Sequence, residues 1–279
     1  MLTPHQIKQY HSQGFVVLDQ FIDKNTLEEI KNQAQHIIEK WNEDNSSHTF
    51  STKNNDRSDY DYFLDSAEKI CCFFEEEAFD DAGKLVQDRN LSINKIGHAL
   101  HELDPIFKNF SHMKVFGQIA ADIGIKQAQI RQSMYIFKQP RIGGEVHWHQ
   151  DATFFHTTPN SVVTYWFAIE DATLENGCLW VEPGGHLSPL RERFDLNERT
   201  TTMVSLDKTP WPTTKNAQSV EVKAGSIVVF HGLLPHYSAP NRSQKSRQAF
   251  TLHVTDGACE YSRSNWLQTS TLPLSGFDT

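Results

Sequence analysis

The second half of the chain consists of short apolar segments separated by glycine and proline turns. The first segment covers residues 129–137, and the last one ends at Val254. Turn residues follow the first segment at Pro140, Gly143 and Gly144. Many short strands joined by tight turns favour an all-β fold of two layers. The pattern therefore predicts a jelly roll, in which strands that are distant in sequence lie side by side.

The first part of the chain has a helical pattern instead. Thr3 and Pro4 are typical of a helix start, and Gly14 is typical of a helix end. A second helix is expected from Asp23, and a third over residues 104–123, because apolar side chains recur there at helical spacing. We expect these helices to pack on the outside of a sheet.

Together these patterns predict a mainly β fold with flanking helices, a double-stranded β-helix (jelly roll, cupin-like). With 38% hydrophobic residues, the chain can build a substantial core. Its length fits one large domain or two small ones. We predict a single domain over residues 1–279, with a helix-rich part at about 1–125 and a jelly-roll core at about 126–256.

Charge and composition narrow the possible partners. The formal net charge of −9 argues against nucleic-acid binding, which needs a basic surface. No stretch approaches the about 18 apolar residues of a membrane helix. The N-terminal residues lack the features of a signal peptide, and the C-terminal residues are not a peroxisomal address. We expect a cytoplasmic protein; its oligomeric state cannot be inferred.

One polar segment near the end of the helical part has no periodicity. It covers residues 43–59 and is predicted to be a mobile loop that covers an active site, with a surface insertion of no role as the alternative. Behind it, Phe63, Phe73 and Phe74 are expected to form part of a substrate wall. The acidic run at 75–77 is predicted to be a solvated face.

A histidine and an aspartate stand two residues apart in one predicted strand, residues 146–155. Because side chains alternate along a strand, His149 and Asp151 should lie on the same face. They supply two of the three ligands of a 2-His-1-carboxylate triad, which holds Fe(II) and leaves coordination positions open. His147 would lie on that face too and is the alternative first histidine.

A second stretch downstream can complete such a triad. A glycine turn leads into an apolar strand over residues 226–230, and His231 and His236 follow near its far end. Arg247 lies in the next predicted strand, and its planar guanidinium suits a carboxylate carried by a cosubstrate. Ser238 can donate one further hydrogen bond to that carboxylate.

These residues resemble a known family. The sequence is similar to the phytanoyl-CoA dioxygenase family of Fe(II)- and 2-oxoglutarate-dependent oxygenases, and most like its phytanoyl-CoA dioxygenase domain-containing members. The motifs that carry the resemblance are His149-Gln150-Asp151, His236-Tyr237-Ser238, Asn241-Arg242-Ser243, Arg247-Gln248-Ala249 and residues 90–100, 132–140, 143–146 and 170–180.

The resemblance implies a role for each matching residue. It implies Fe(II), 2-oxoglutarate and O2 as cofactors, with decarboxylation of 2-oxoglutarate to succinate and CO2. It implies metal ligands at His149, Asp151 and His236, and binding of the distal carboxylate by Ser238 and Arg247. The other positions that match the cosubstrate pocket are Lys95, Met134 and Trp166. By themselves, Met134 and Trp166 would be interpreted as core residues and Lys95 as a surface residue.

Three function classes remain open at this point. The first is a dioxygenase, in which the ligand Asp151 favours hydroxylation over halogenation of a small-molecule substrate. An acyl-CoA substrate ranks lower because the chain is acidic overall. The second is a catalytically weak relative that binds iron and 2-oxoglutarate as a sensor or interaction module. The third is a zinc hydrolase, which would leave Arg247 and Ser238 without a purpose.

Overall fold

The computed structural model describes residues 1–41, 48–49 and 57–278. The helices are α1 (Pro4–Gln13), α2 (Lys24–Trp41), α3 (Arg57–Asp65), α4 (Leu100–Leu103), α5 (Pro105–Ser111) and α6 (Lys114–Asp122). Short 3-10 turns lie at Arg89–Leu91, Asp151–Thr153 and Gly185–Leu187. Within the described ranges, no helix combines the length and apolar character needed to cross a bilayer.

Short strands predominate in the second half of the chain, as predicted, although the hairpin over residues 192–205 was not expected, and three more strands lie in the first half. They are β1 (Phe15–Leu18), β2 (Ile70–Phe74), β3 (Ile93–His98), β4 (Ala128–Ile136), β5 (Val146–His149), β6 (Thr157–Thr158), β7 (Val163–Ala168), β8 (Leu179–Val181), β9 (Glu192–Asn197), β10 (Thr200–Ser205), β11 (Gln218–Val220), β12 (Ile227–His231), β13 (His236–Ser238), β14 (Ala249–Asp256) and β15 (Glu260–Tyr261).

Two sheets form the body of the protein. The larger has the order β1-β12-β7-β14-β4-β3-β2, and the smaller has the order β11-β8-β13-β5. Their ladders are antiparallel, and strands far apart in sequence are neighbours, such as β5 with β13. Apolar side chains of both sheets meet between them, including Trp166 and Phe230 from the larger and Val181 from the smaller. The fold is a double-stranded β-helix, as predicted.

Helices α1, α2, α5 and α6 cover the outer face of the larger sheet, whereas α3 packs against Phe155 and Trp266. α1 begins at Thr3, whose hydroxyl accepts a hydrogen bond from Gln6 N, and ends at Gly14, which adopts the left-handed conformation with φ 85°. Along α2, Ile30 and Ile38 are buried against this face. Both helices confirm the sequence pattern: α1 begins and ends at the predicted residues, and α2 buries one apolar stripe.

The predicted helix over 104–123 is wrong in one respect: it is two helices, α5 and α6. The Asp104 side chain caps α5 by accepting from Ile106 N and Phe107 N. The chain then turns at His112, whose ring nitrogens contact the carbonyls of His101 and Gly276. These tertiary contacts fix a turn that apolar periodicity alone does not show.

Two further expectations for the segment before β3 need correction. Phe74 does not join a substrate wall, because its ring packs on Trp41 and Phe79 in the outer core. In the acidic run, Glu75 is buried rather than solvated and accepts hydrogen bonds from Asn94 and Gly144. Most of the predicted loop at 43–59 lies outside the described residues, and its last three residues belong to α3.

Candidate active site

Three candidate ligands lie close together, at the end of β5, in the turn that follows it and at the start of β13. His149 ends β5, His236 begins β13, and the two are direct partners in the antiparallel ladder. Asp151 Oδ1 lies 3.5 Å from His149 Nε2 and 3.6 Å from His236 Nε2. The three potential ligand atoms lie within 4.8 Å of one another, so this cluster could hold a metal ion.

The local backbone differs from the strand predicted over 146–155. β5 ends at His149, and Asp151 opens a 3-10 turn. Thr153 N donates to Gln150 O and Phe154 N to Asp151 O within the turn, and Ala152 N donates to Gly232 O across the fold at 2.9 Å. Gln150 remains extended, with φ −121° and ψ 132°, so it still carries Asp151 round to the side of His149. The prediction of a shared face is therefore confirmed, although its stated cause was wrong.

Backbone carbonyls fix the orientation of both imidazoles. His149 Nδ1 lies 2.8 Å from His147 O, and His236 Nδ1 lies 3.0 Å from Leu234 O. A carbonyl only accepts, so each Nδ1 carries the proton when the ring is neutral. Each Nε2 then keeps its lone pair unprotonated close to Asp151 Oδ1, so that all three groups can ligate one metal ion.

The electrostatics of the cluster favour an ionised carboxylate. Burial alone would raise the pKa of Asp151, but the nearby imidazoles of His236 and His253 hold it well below its usual range. Burial, together with the neighbouring His149, lowers the pKa of His236 to about 4. Burial would also lower the pKa of His149, yet its contact with Asp151 raises it. The cluster therefore supplies one negative charge for a cation.

Gln150, which the motif contains but which faces away from the metal cluster, has a structural role. Its side chain is fully buried, donates to Leu233 O at 2.8 Å and Pro189 O at 3.2 Å, and accepts from Arg191 N at 2.9 Å. It thereby fastens the ligand-bearing turn to the segment before β13 and to the segment before β9.

Other histidines near the motif lie elsewhere. His147, the alternative first ligand, is exposed and lies 3.5 Å from Glu145. His231 Nδ1 accepts from Leu233 N, and its ring faces Tyr10. Neither belongs to the cluster formed by the described residues that could hold a metal.

Arg247 is a buried cation with an incomplete set of partners. Its Nε donates to Gly177 O at 3.2 Å and its Nη2 to Ser238 Oγ at 3.3 Å, while the guanidinium lies 5.3 Å from the centre of the Trp166 ring. Among the described residues, its Nη1 has no hydrogen-bond partner and no carboxylate forms an ion pair with it. It stands two residues before β14, not within the strand as predicted.

An unpaired buried guanidinium is energetically unfavourable. Burial lowers the pKa of Arg247 from 12.5 to about 10. Such a group is normally neutralised by a carboxylate. Its free N–H therefore fits a carboxylate-bearing ligand.

Two strands, β13 and β7, lead from the His-Asp-His cluster to side chains that contact Arg247. On β13, His236 and Ser238 are two residues apart, and on β7 the same spacing separates Thr164, which donates to Asp151, from Trp166. Two residues along a strand correspond to about 7 Å. A five-carbon dicarboxylate can span a distance of this size.

The remaining predicted pocket residues occupy the larger sheet. Met134 and Trp166 flank Thr251 from the two neighbouring strands. Lys95 lies one strand further, on β3; it is buried, and its ammonium sits 5.3 Å from the centre of the Phe73 ring. Burial lowers the pKa of Lys95 to about 7. The structure thus groups Ser238, Arg247 and Trp166 closely and places Lys95 beside an aromatic wall.

Sequence reasoning missed three residues around the site. Thr164 and His253 both approach Asp151 Oδ2, and the Gly177 carbonyl accepts from Arg247 and Ser238. Gly177 has φ 85°, and an added Cβ would lie 2.7 Å from Ala239 O, so this position requires glycine. The alternation of β7 and β14 could have indicated the first two, because both strands present every second residue to the interior.

Comparison with known proteins assigns the chain to a family. The family description "Phytanoyl-CoA dioxygenase (PhyH)" matches residues 10–249. The chain belongs to the phytanoyl-CoA dioxygenase family. One member, named phytanoyl-CoA dioxygenase, from Arabidopsis thaliana, is 44% identical over 274 residues, covering 98% of this chain and 95% of the relative.

Family members with the domain-containing name are similar as well. The phytanoyl-CoA dioxygenase domain-containing protein 1 of Bos taurus is 39% identical, over 98% of this chain and 97% of its own length. Among solved structures, the epimerase SnoN in complex with Fe3+, alpha ketoglutarate and nogalamycin RO has a TM-score of 0.63. It is 15% identical, with 99% of this chain and 94% of SnoN covered, so it shows a shared fold.

Proposed function

We propose that this phytanoyl-CoA dioxygenase family member is an Fe(II)- and 2-oxoglutarate-dependent dioxygenase that hydroxylates a small molecule. One observation carries the proposal: a His-Asp-His cluster with inward lone pairs lies beside a buried guanidinium that has no carboxylate partner. The names of the relatives support it. A zinc hydrolase would also use this cluster, but it has no carboxylate-bearing cosubstrate for Arg247 to bind.

The residues present fit the implied cofactors. His149, Asp151 and His236 would hold Fe(II), since two neutral imidazoles and one carboxylate suit this metal and leave positions open. Bound iron supplies the oxygen activation that is coupled to decarboxylation of 2-oxoglutarate. In the balanced reaction, one atom of O2 enters succinate, the other enters the substrate as a hydroxyl group, and CO2 is released.

The chain's own contribution is binding and orientation. Arg247 would pair with the distal carboxylate of 2-oxoglutarate through its free Nη1 and through Nη2. The Ser238 hydroxyl, which donates to Gly177 O at 3.0 Å, would turn to donate to that carboxylate. Trp166, Met134 and Lys95 would line the cosubstrate pocket.

Aromatic side chains beside the His-Asp-His cluster would exclude water. The Phe154 ring lies 6.3 Å from the His149 ring and 5.6 Å from the Phe194 ring of β9. Further away, Phe63 stacks on Trp266 at 4.5 Å. An apolar enclosure of this kind suits a substrate with an unactivated C–H bond and shields the reacting groups from solvent.

The experiment is succinate formation from 2-oxoglutarate, with Fe(II) and O2, across a library of candidate small molecules. Asp151→Ala should abolish it, and His147→Ala, which alters an exposed neighbour outside the cluster, serves as the matched control. Binding of Fe(II) and 2-oxoglutarate without succinate under any condition would favour the sensor alternative. Activity that needs zinc and no 2-oxoglutarate would overturn the proposal.

The one-domain organisation over residues 1–279 and the cytoplasmic location stay predictions. So does the absence of nucleic-acid and membrane partners.

A further inference from the structure

The two oxygens of the Asp151 carboxylate have different surroundings. Oδ1 faces the imidazole nitrogens of His149 and His236 at 3.5 and 3.6 Å. Oδ2 points the other way, where it accepts a hydrogen bond from the Thr164 hydroxyl and lies 3.5 Å from His253 Nε2. The second pair of contacts comes from residues that the family motif does not include.

The fold places Thr164 and His253 together. They are direct partners in the ladder between β7 and β14, and both side chains are buried. The His253 ring stacks on Phe155 at 4.8 Å with an angle of 26° between the planes. This packing holds the ring with its Nε2 edge toward Asp151. Because a carboxylate accepts hydrogen bonds, this contact is favourable when Nε2 carries a proton.

We propose that Thr164 and His253 are positioning residues that hold Oδ2, so that Asp151 ligates the metal through Oδ1 alone. A carboxylate free to rotate could offer both oxygens to the metal and occupy an extra coordination position. Two contacts to Oδ2 prevent that rotation and keep the position open. This inference rests on the proposed function, since it assumes that the cluster binds a divalent metal ion.

Removing each contact tests the inference by metal affinity. Thr164→Val and His253→Phe preserve shape and ring stacking but remove the donors. Each should weaken Mn(II) binding, measured by calorimetry on the full chain, by about tenfold or more, as expected when a partner of a ligating group is lost. Thr164→Ser and His253→Gln restore a donor and should recover most of the affinity.

Matched controls lie on the opposite face of the same sheet. There the buried His101 contacts Ser133 through Nδ1 and Oγ at 2.8 Å, away from the metal cluster. His101→Phe and Ser133→Ala remove a comparable buried hydrogen bond and should change Mn(II) affinity less than twofold, even where they lower thermal stability. If His253→Phe does not fold, Thr164→Val and its serine counterpart still decide the question.

A spectroscopic measurement tests the mode of ligation. The infrared separation of the two carboxylate stretching bands, isolated by aspartate isotope labelling and comparison with Asp151→Asn, should indicate a one-oxygen ligand in the metal-loaded parent. It should shift toward a two-oxygen ligand in the Thr164→Val, His253→Phe double variant. Parent-like affinity and bands in that variant would overturn the inference. Failure of the parent to bind Mn(II) or Fe(II) would instead contradict the proposed function.

Discussion

Replacing Arg247 with methionine should stabilise the unliganded protein and weaken the binding of 2-oxoglutarate. Burial lowers the guanidinium pKa from 12.5 to about 10, so the unliganded protein disfavours the charged form by about 3 kcal/mol. The substitution relieves this cost but removes two long hydrogen bonds, each contributing about 0.5–1.5 kcal/mol. We therefore expect the unliganded variant to be between about 0 and 2 kcal/mol more stable than the parent.

Cosubstrate binding should change in the other direction. Loss of a buried charged partner costs about 2–5 kcal/mol, which raises the Kd for 2-oxoglutarate about 30-fold or more. At a ligand concentration 100 times the parent Kd, binding stabilises the parent by about 2.7 kcal/mol. The same concentration should stabilise Arg247→Met by less than about 1 kcal/mol. Arg247→Lys should recover only part, because an ammonium cannot form the bidentate pair.

The assay is chemical denaturation of the Mn(II)-loaded protein with and without 2-oxoglutarate. Arg191→Met is the matched control, because Arg191 is also buried but has a carboxylate partner, Glu182, at 3.2 Å. It should destabilise the unliganded protein and leave the ligand-induced gain unchanged. If Arg247→Met loses more than about 2 kcal/mol without ligand, or keeps the full gain with ligand, the guanidinium is structural and the carboxylate is held elsewhere.

Three further outcomes are expected. His149→Ala should eliminate Fe(II)-dependent succinate formation while His147→Ala retains it; equal damage in the two would mean that the wrong histidine was chosen. Gln150→Leu should lower the free energy of unfolding by about 2–4 kcal/mol in urea denaturation, since buried backbone groups lose their partners; an unchanged value would remove its fastening role. Burial would raise the pKa of Glu68, but the N–H groups of 270–272 lower it from 4.5 to about 2. Its contribution to stability is therefore complete above about pH 4.5 and lost as the pH falls toward 2, so the difference between the parent and Glu68→Gln should shrink from pH 7 to pH 3; an equal difference at both would refute this.

The fold could be predicted from the sequence because local patterns indicate the strands, whereas the family resemblance was needed to single out His236 rather than His231 as the partner of His149 and Asp151. Short apolar segments between turns indicated the two sheets, and jelly-roll topology implied that a histidine after β12 could meet His149. Side-chain alternation then placed Asp151 on the correct side, even though it lies in a 3-10 turn. The extended Gln150 gives the same result as a continuous strand.

Features set by distant contacts were not predictable in this way. The 3-10 turn is held to the segment before β13 through Gly232 O, and the His112 ring at the end of α5 contacts carbonyls of remote segments. Glu75 is buried because Asn94 and Gly144 supply hydrogen bonds to its carboxylate. Alternation along β14 could have indicated that His253 faces the interior, but its contact with Asp151 also requires the register of β14 against β7, which composition and periodicity do not specify.

The most direct test of the proposed reaction is the fate of molecular oxygen. The purified chain, loaded with Fe(II) and 2-oxoglutarate, is exposed to 18O2, and the succinate is analysed by mass spectrometry. We predict one 18O atom in each succinate formed by the parent and no succinate from Asp151→Ala. Succinate without the label, or equal labelled succinate from Asp151→Ala, would contradict a dioxygenase that works through this His-Asp-His cluster.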